Sequence, residues 1–184
     1  MKLTNKEYMM DFVTKLETRV LTWARNVPHL PAAGQKWLGV NMWWIVLIGA
    51  IFSGFSFLYG LSKLLTLISL IGAVSSAYYV TGNYTSLAIL NEAVNVVFIT
   101  GTGLLLALAV KPLQHMQKKG WVLLFMTLLV EALSVIVGAV LSFSVVGFII
   151  NLLFGGIALA IGAYFIAEIH GQFSHHAKAT IKKL

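Results

Sequence analysis

The chain has 184 residues, of which 59% are hydrophobic and only 10% charged, with a formal net charge of +7. A soluble domain carries about 25% charged residues, so the composition excludes an ordinary soluble globular protein and indicates one polytopic α-helical membrane domain. Cysteine is absent, which excludes disulfides and thiolate metal or redox chemistry, and the apolar runs are continuous rather than alternating, which argues against a β-barrel.

In a membrane protein the basic excess suits a cytoplasmic surface and anionic lipid, and no nucleic-acid partner is expected. Residues 1–34 read as a cytoplasmic amphipathic helix followed by a proline elbow. Thr4-Asn5-Lys6-Glu7 has the form of a capping box. Met9, Phe12, Val13, Leu16, Val20 and Trp23 then recur at spacings of three and four, with Lys6, Asp11, Lys15 and Thr22 elsewhere around the helix. Such a helix either lies in the headgroup layer or packs its apolar face on the protein's own cytoplasmic side. Lys15, Arg19 and Arg25, with Lys118 and Lys119 further on, are the candidate contacts to lipid headgroups. Charge throughout residues 1–25 argues against a cleavable signal peptide. Pro28 and Pro31 make the elbow.

The transmembrane domain is expected over residues 35–169. Its first span covers about 37–59, entered through Trp37, Trp43 and Trp44 as interfacial indoles. Gly49, Ser53, Ser56 and Gly60 form a stripe of small residues on one face, which lets another helix approach closely. Residues 61–80 are apolar but short, and 81–84 read as a turn. Further spans fall at about 86–110, 121–141 and 146–169, each long enough for a hydrocarbon core of about 30 Å. Lys111-Pro112 closes the second, Ser142, Phe143 and Ser144 turn the chain between the last two, and 170–184 is a basic cytoplasmic tail.

Charge placement selects among topologies. With four spans, six basic residues precede the first, three lie in the 111–120 loop and three in the tail, so that of the thirteen only Lys63 lies outside. Five spans would divide them six against seven. The positive-inside rule therefore favours four spans with both termini cytoplasmic. Residues 61–80 then form an interfacial or re-entrant apolar helix on the outer side.

Two acids interrupt the apolar runs. A carboxylate at mid-bilayer costs at least about 2.5 kcal/mol, so Glu131 should face the bundle, on a stripe shared with Ser134, Gly138 and Ser142. Desolvation favours a carboxyl's neutral form, so a group there can serve as a proton or cation site; it can equally be polar glue between helices. Glu92 has Asn95 and Thr102 on its helix face and Asn91 beside it. These groups either line a hydrated crevice open to the outside or hydrogen-bond across to Asn151 or Glu131. Asn151 heads a face of small residues, Gly155, Ala158 and Gly162, suited to helix packing. Glu168 is expected at the cytoplasmic interface, solvated or paired with a lysine. His170, His175 and His176 lack the spacing of a helical metal site, and His29 and His115 stand alone in loops. Asn83-Tyr84-Thr85 has the form of a glycosylation acceptor. No phosphate-binding loop, HExxH, GxSxG or aspartate pair is present, and neither a cofactor nor catalysis is expected.

Lys119-Gly120-Trp121-Val122-Leu123-Leu124-Phe125, together with Ala163-Tyr164-Phe165-Ile166-Ala167-Glu168-Ile169 and Met42-Trp43-Trp44-Ile45-Val46-Leu47-Ile48-Gly49, resembles segments of a group of small uncharacterised bacterial four-span membrane proteins. Glu168 stands where that group tends to have glutamine, and His170 where it has arginine. The likeness covers about half the chain; it implies the four-span fold and no activity. Phe57-Leu58-Tyr59-Gly60-Leu61-Ser62-Lys63-Leu64 is similar to the Gly-x-x-Lys end of the first helix in DoxX-like proteins, which would place Lys63 at a membrane helix end. The sequence thus predicts an all-α four-helix transmembrane bundle. Two roles fit it: assembly with itself, a membrane partner or lipid, or a small proton- or cation-coupled transporter or channel using Glu131 and Glu92.

Overall fold

The computed structural model describes residues 5–74, 82–142 and 144–181, with side chains over 14–70, 86–142 and 144–173. These residues form five helices: α1 (Asn5–Ala24), α2 (Ala32–Val74), α3 (Gly82–Gln114), α4 (Lys118–Leu141) and α5 (Val145–Ile181). The expected Thr4 cap lies outside them. Four of the helices are long and apolar enough to cross a membrane, over Ala32–Leu70, Ser86–Gln114, Lys118–Leu141 and Val145–Phe173. Their surfaces carry many large exposed apolar side chains, among them Phe52, Phe55, Leu104, Val140 and Phe154. An aqueous solvent would penalise that surface and a bilayer does not.

α2 packs on α3, α3 on α4, α4 on α5, and α5 returns to α2, while α1 rests on α5. Small residues set the approach of the paired helices. A Cβ at Gly155 would lie 2.5 Å from a Val135 methyl, so α4 and α5 meet at a distance only glycine permits. Between α2 and α3, Gly60 opposes Val96, Gly49 opposes Leu106, and Ser53 Oγ donates to the Ile99 carbonyl at 3.0 Å. Ser56 is the exception in the expected stripe, being exposed.

The sequence reading treats 61–80 as a separate interfacial or re-entrant helix. Instead α2 continues without a break through Val74, and 75–81 lie outside the described residues. Gly60 is no helix end; it lies inside α2, where a Cβ would come within 2.9 Å of a Val96 methyl and 3.5 Å of Glu92 Oε1. α3 likewise begins at Gly82 and runs past Pro112 to Gln114, so Asn83-Tyr84-Thr85 lies on a helix and not in a turn. The tail expected from 170 onward is helical to Ile181. The apolar part of α2, Ala32–Leu70, is 39 residues against 24 for α4, or about 58 Å against about 36 Å at ~1.5 Å per residue.

The densest core sits at one end of the bundle, where Trp121, Phe125, Leu113, Ile169 and Phe173 are fully buried. Trp121 stacks on Phe125 with ring centroids 5.4 Å apart, and its indole N–H donates to the Ile166 carbonyl at 2.8 Å. The α3–α4 turn closes on this core. Met116 takes the left-handed conformation, with φ 51, and a Cβ at Gly120 would meet the Leu113 backbone nitrogen at 2.7 Å. Leu16 and Val20 bring α1 onto the same cluster, so the amphipathic face expected from the sequence packs in part on the protein itself. The exposed Lys15, Arg19, Arg25, Lys118 and Lys119 belong to this end, called here the basic end.

Candidate functional site

At the opposite end, where α4 turns into α5, a cleft of about 310 Å³ opens between α2, α3, α4 and α5. Asn91, Glu92 and Asn95 reach it from α3, Ser134 and Gly138 from α4, Asn151 from α5 and Lys63 from α2. Glu92 and Asn95 share a face because they are three residues apart on a helix. Of the six residues proposed from sequence as an ion or proton site, five therefore converge here.

Lys63 is the residue the sequence reading places elsewhere. Its Nζ lies 2.5 Å from Glu92 Oε2. The partner of Glu92 is thus a lysine one helix away, and neither Asn151 nor Glu131. The pair is asymmetric: the Glu92 side chain is 6% exposed and that of Lys63 is 51% exposed. A carboxylate held in apolar surroundings needs a counter-charge, and here the counter-charge keeps its access to the cleft. The Asn151 amide donates back to the Gly147 carbonyl at 2.9 Å. Asn91 and Asn95 make no hydrogen bond among the described residues, and both are exposed.

Glu131 lies apart from this group. Thr102 Oγ donates to its Oε1 at 2.8 Å, so Thr102, expected to serve the Glu92 face, serves Glu131. Ser134, Gly138 and Ser142, expected to share a stripe with Glu131, line the cleft instead. Glu131 lines a second cavity of about 450 Å³, whose other walls include Leu106, Leu124, Gly155, Ala158 and Gly162. Val135 borders both spaces. Ala158 and Gly162 line this cavity, and Gly162 also packs on α4, where a Cβ would lie 3.2 Å from a Leu128 methyl.

A third acid is corrected more fully. Glu168 is neither solvated nor paired with a lysine. Its side chain is buried, His29 Nδ1 lies 2.6 Å from Oε1, and Oε2 accepts from Leu30 N–H at 3.0 Å and Gln35 Nε2 at 2.9 Å. His29 is thus no isolated loop residue; with Leu30 it ties the proline elbow to α5. His170 leaves the tail in the same way: Nε2 stands 3.0 Å from Glu17 Oε1, and its ring meets Trp121 edge-on. His175 and His176 lie outside the residues whose side chains are described. Among the described residues no group of three or more His, Asp or Glu side chains is placed to hold a metal ion. Comparison with known proteins finds no matching family model, no matching curated protein and no matching solved structure.

Proposed function

We propose that the chain is a small membrane transporter or channel coupled to protons or cations, with the Lys63–Glu92 cleft as its entry site. The observation that carries this reading is the pair of cavities meeting at Val135, each with one carboxylate. Together they follow α4 from Ser142 to Leu124, about 27 Å by helical rise, against a hydrocarbon core of about 30 Å. A proton or small cation entering the cleft competes with the Lys63 ammonium for Glu92, and the half-exposed lysine has room to yield. Asn91 and Asn95 supply free amide oxygens along the approach. Movement of Val135 then opens the way to Glu131, where the Thr102 hydroxyl holds the receiving carboxyl.

Self-association draws less support. Gly49, Gly60, Gly155 and Gly162 face neighbouring helices of the same bundle, so most of the small-residue faces are already occupied. The concentration of basic residues at one end supports an orientation with that end, and both termini, in the cytoplasm of a bacterial cell.

The test is ion flux into liposomes holding the purified chain and a trapped pH-sensitive dye, driven by a potassium diffusion potential, with sodium influx measured in parallel. Flux above that of protein-free liposomes is expected, falling to the protein-free rate in Glu92→Gln and Glu131→Gln while both variants elute as the parent does. Wild-type protein that passes neither ion, or flux indifferent to both substitutions, overturns the proposal.

A further inference from the structure

At the basic end α1 passes beside the outer faces of α4 and α5, and between them runs a groove of about 500 Å³. Ala132 of α4 and Ala160 and Ala163 of α5 give it depth, and α1 contributes Arg19 and Trp23. Apart from Arg19 every side chain lining it is apolar. The groove is a built feature, because α1 is fixed by contacts that do not line it. Glu17 meets His170, Ala24 is buried, and the elbow that follows is held by Glu168 and by the Tyr164 hydroxyl, which donates to the Pro28 carbonyl at 2.9 Å.

Two properties of the groove select an occupant. Its walls belong to membrane-spanning parts of α4 and α5, so hydrocarbon is what it meets. Its one polar side chain is a guanidinium with no ion pair or hydrogen bond among the described residues, set beside a half-exposed indole. Arginine pairs with phosphate in a planar two-point contact, and tryptophan marks headgroup depth. An aliphatic slot with a free cation matches an acyl chain tethered to a phosphate. We infer that this groove binds one acyl chain of an anionic glycerophospholipid, with Arg19 meeting the headgroup phosphate and α1 lying along the chain. Leu128 and Leu159 are walls shared with the Glu131 cavity, but Arg19, Trp23 and Ala160, on which the inference and its test rest, line neither that cavity nor the cleft, so it stands apart from the transport proposal.

Bromine on an acyl chain quenches tryptophan on contact, and the difference between wild type and Trp23→Phe isolates Trp23 from Trp37, Trp43, Trp44 and Trp121. The full chain is placed in phosphatidylcholine vesicles containing a rising fraction of brominated phosphatidylglycerol or, separately, brominated phosphatidylcholine. One cation at an anionic surface corresponds to about five-fold in affinity, so Trp23 should reach half-quenching at an about five-fold lower fraction of the anionic lipid. Arg19→Gln, at an exposed position without a hydrogen bond or ion pair among the described residues, should remove the preference. Ala160→Phe, which fills the groove, should reduce quenching by both lipids. Equal quenching of wild type by the two lipids identifies ordinary surrounding lipid and overturns the inference, as does a preference that survives Arg19→Gln.

Discussion

At the basic end, Trp121, Phe125, Leu113, Ile169 and Phe173 are fully buried and Glu168 has three partners drawn from the elbow and α2. At the cleft end, Glu92 has a single partner, Lys63, and the two asparagine amides beside it have none among the described residues. Both ends keep a carboxylate out of water, and they treat it differently. Glu168 is enclosed and saturated with donors, so its polar contacts serve to join segments far apart in the chain. Glu92 is left with a displaceable counter-charge and open space. Enclosure makes a buried acid structural, and an open approach makes a similar acid available for binding.

Substitutions at the two ends should therefore read out differently. The largest effect is expected at Trp121→Ala, which removes a fully buried indole and its bond to Ile166 and should cost about 3–5 kcal/mol. Thermal unfolding in detergent micelles, with loss of the monodisperse peak, measures it. Glu168→Ala comes next. It leaves the half-buried Leu30 N–H and Gln35 amide without their acceptor, at about 1 kcal/mol for each, and should free the elbow to early proteolysis around Pro28–Pro31. Should the elbow stay resistant, Glu168 is not what holds it.

Between the ends, Gly155→Ala puts a methyl group within 2.5 Å of Val135, whereas Gly156, next to it, has nothing within 4 Å. The first should destabilise by about 1–3 kcal/mol, and Gly156→Ala should stabilise by up to about 1 kcal/mol through helix propensity. Equal melting shifts for the two would place the α4–α5 contact elsewhere. The smallest stability change belongs to Lys63→Met combined with Glu92→Met, expected within about 1 kcal/mol of wild type because a partly exposed ion pair contributes little. A large loss of stability there would move the cleft end into the same category as the basic end.

The four spans and five of the cleft residues were legible in the sequence because each is a local signal. Asn91, Glu92 and Asn95 are polar groups in an apolar run at helical spacing, as are Ser134 and Asn151 in theirs. Partners were not legible. Lys63 fell beyond Gly60, which in a pattern of small residues looks like an end, and the charge count rewarded placing it in a separate helix. His29 and Glu168 are 139 positions apart, and no periodicity links a loop residue to a helix across that distance. Glu131 misled for a related reason. Helical spacing puts Ser134, Gly138 and Ser142 on its side of α4, yet the width of one side chain, Val135, divides that side between two cavities.

The unequal lengths of α2 and α4 have a mechanical consequence. With the basic end held at headgroup depth, α4 is just long enough to reach the far surface, while α2 carries Leu65, Ile68 and Leu70 past it. Hydrophobic mismatch is relieved by tilting the longer helix or by drawing the adjacent lipid thicker, at a cost that grows with each ångström. One flank of the molecule thus favours a thick membrane and the other a thin one. Longer lipid chains should ease strain along α2 and add it along α4, whose contact with α5 forms the wall of both cavities.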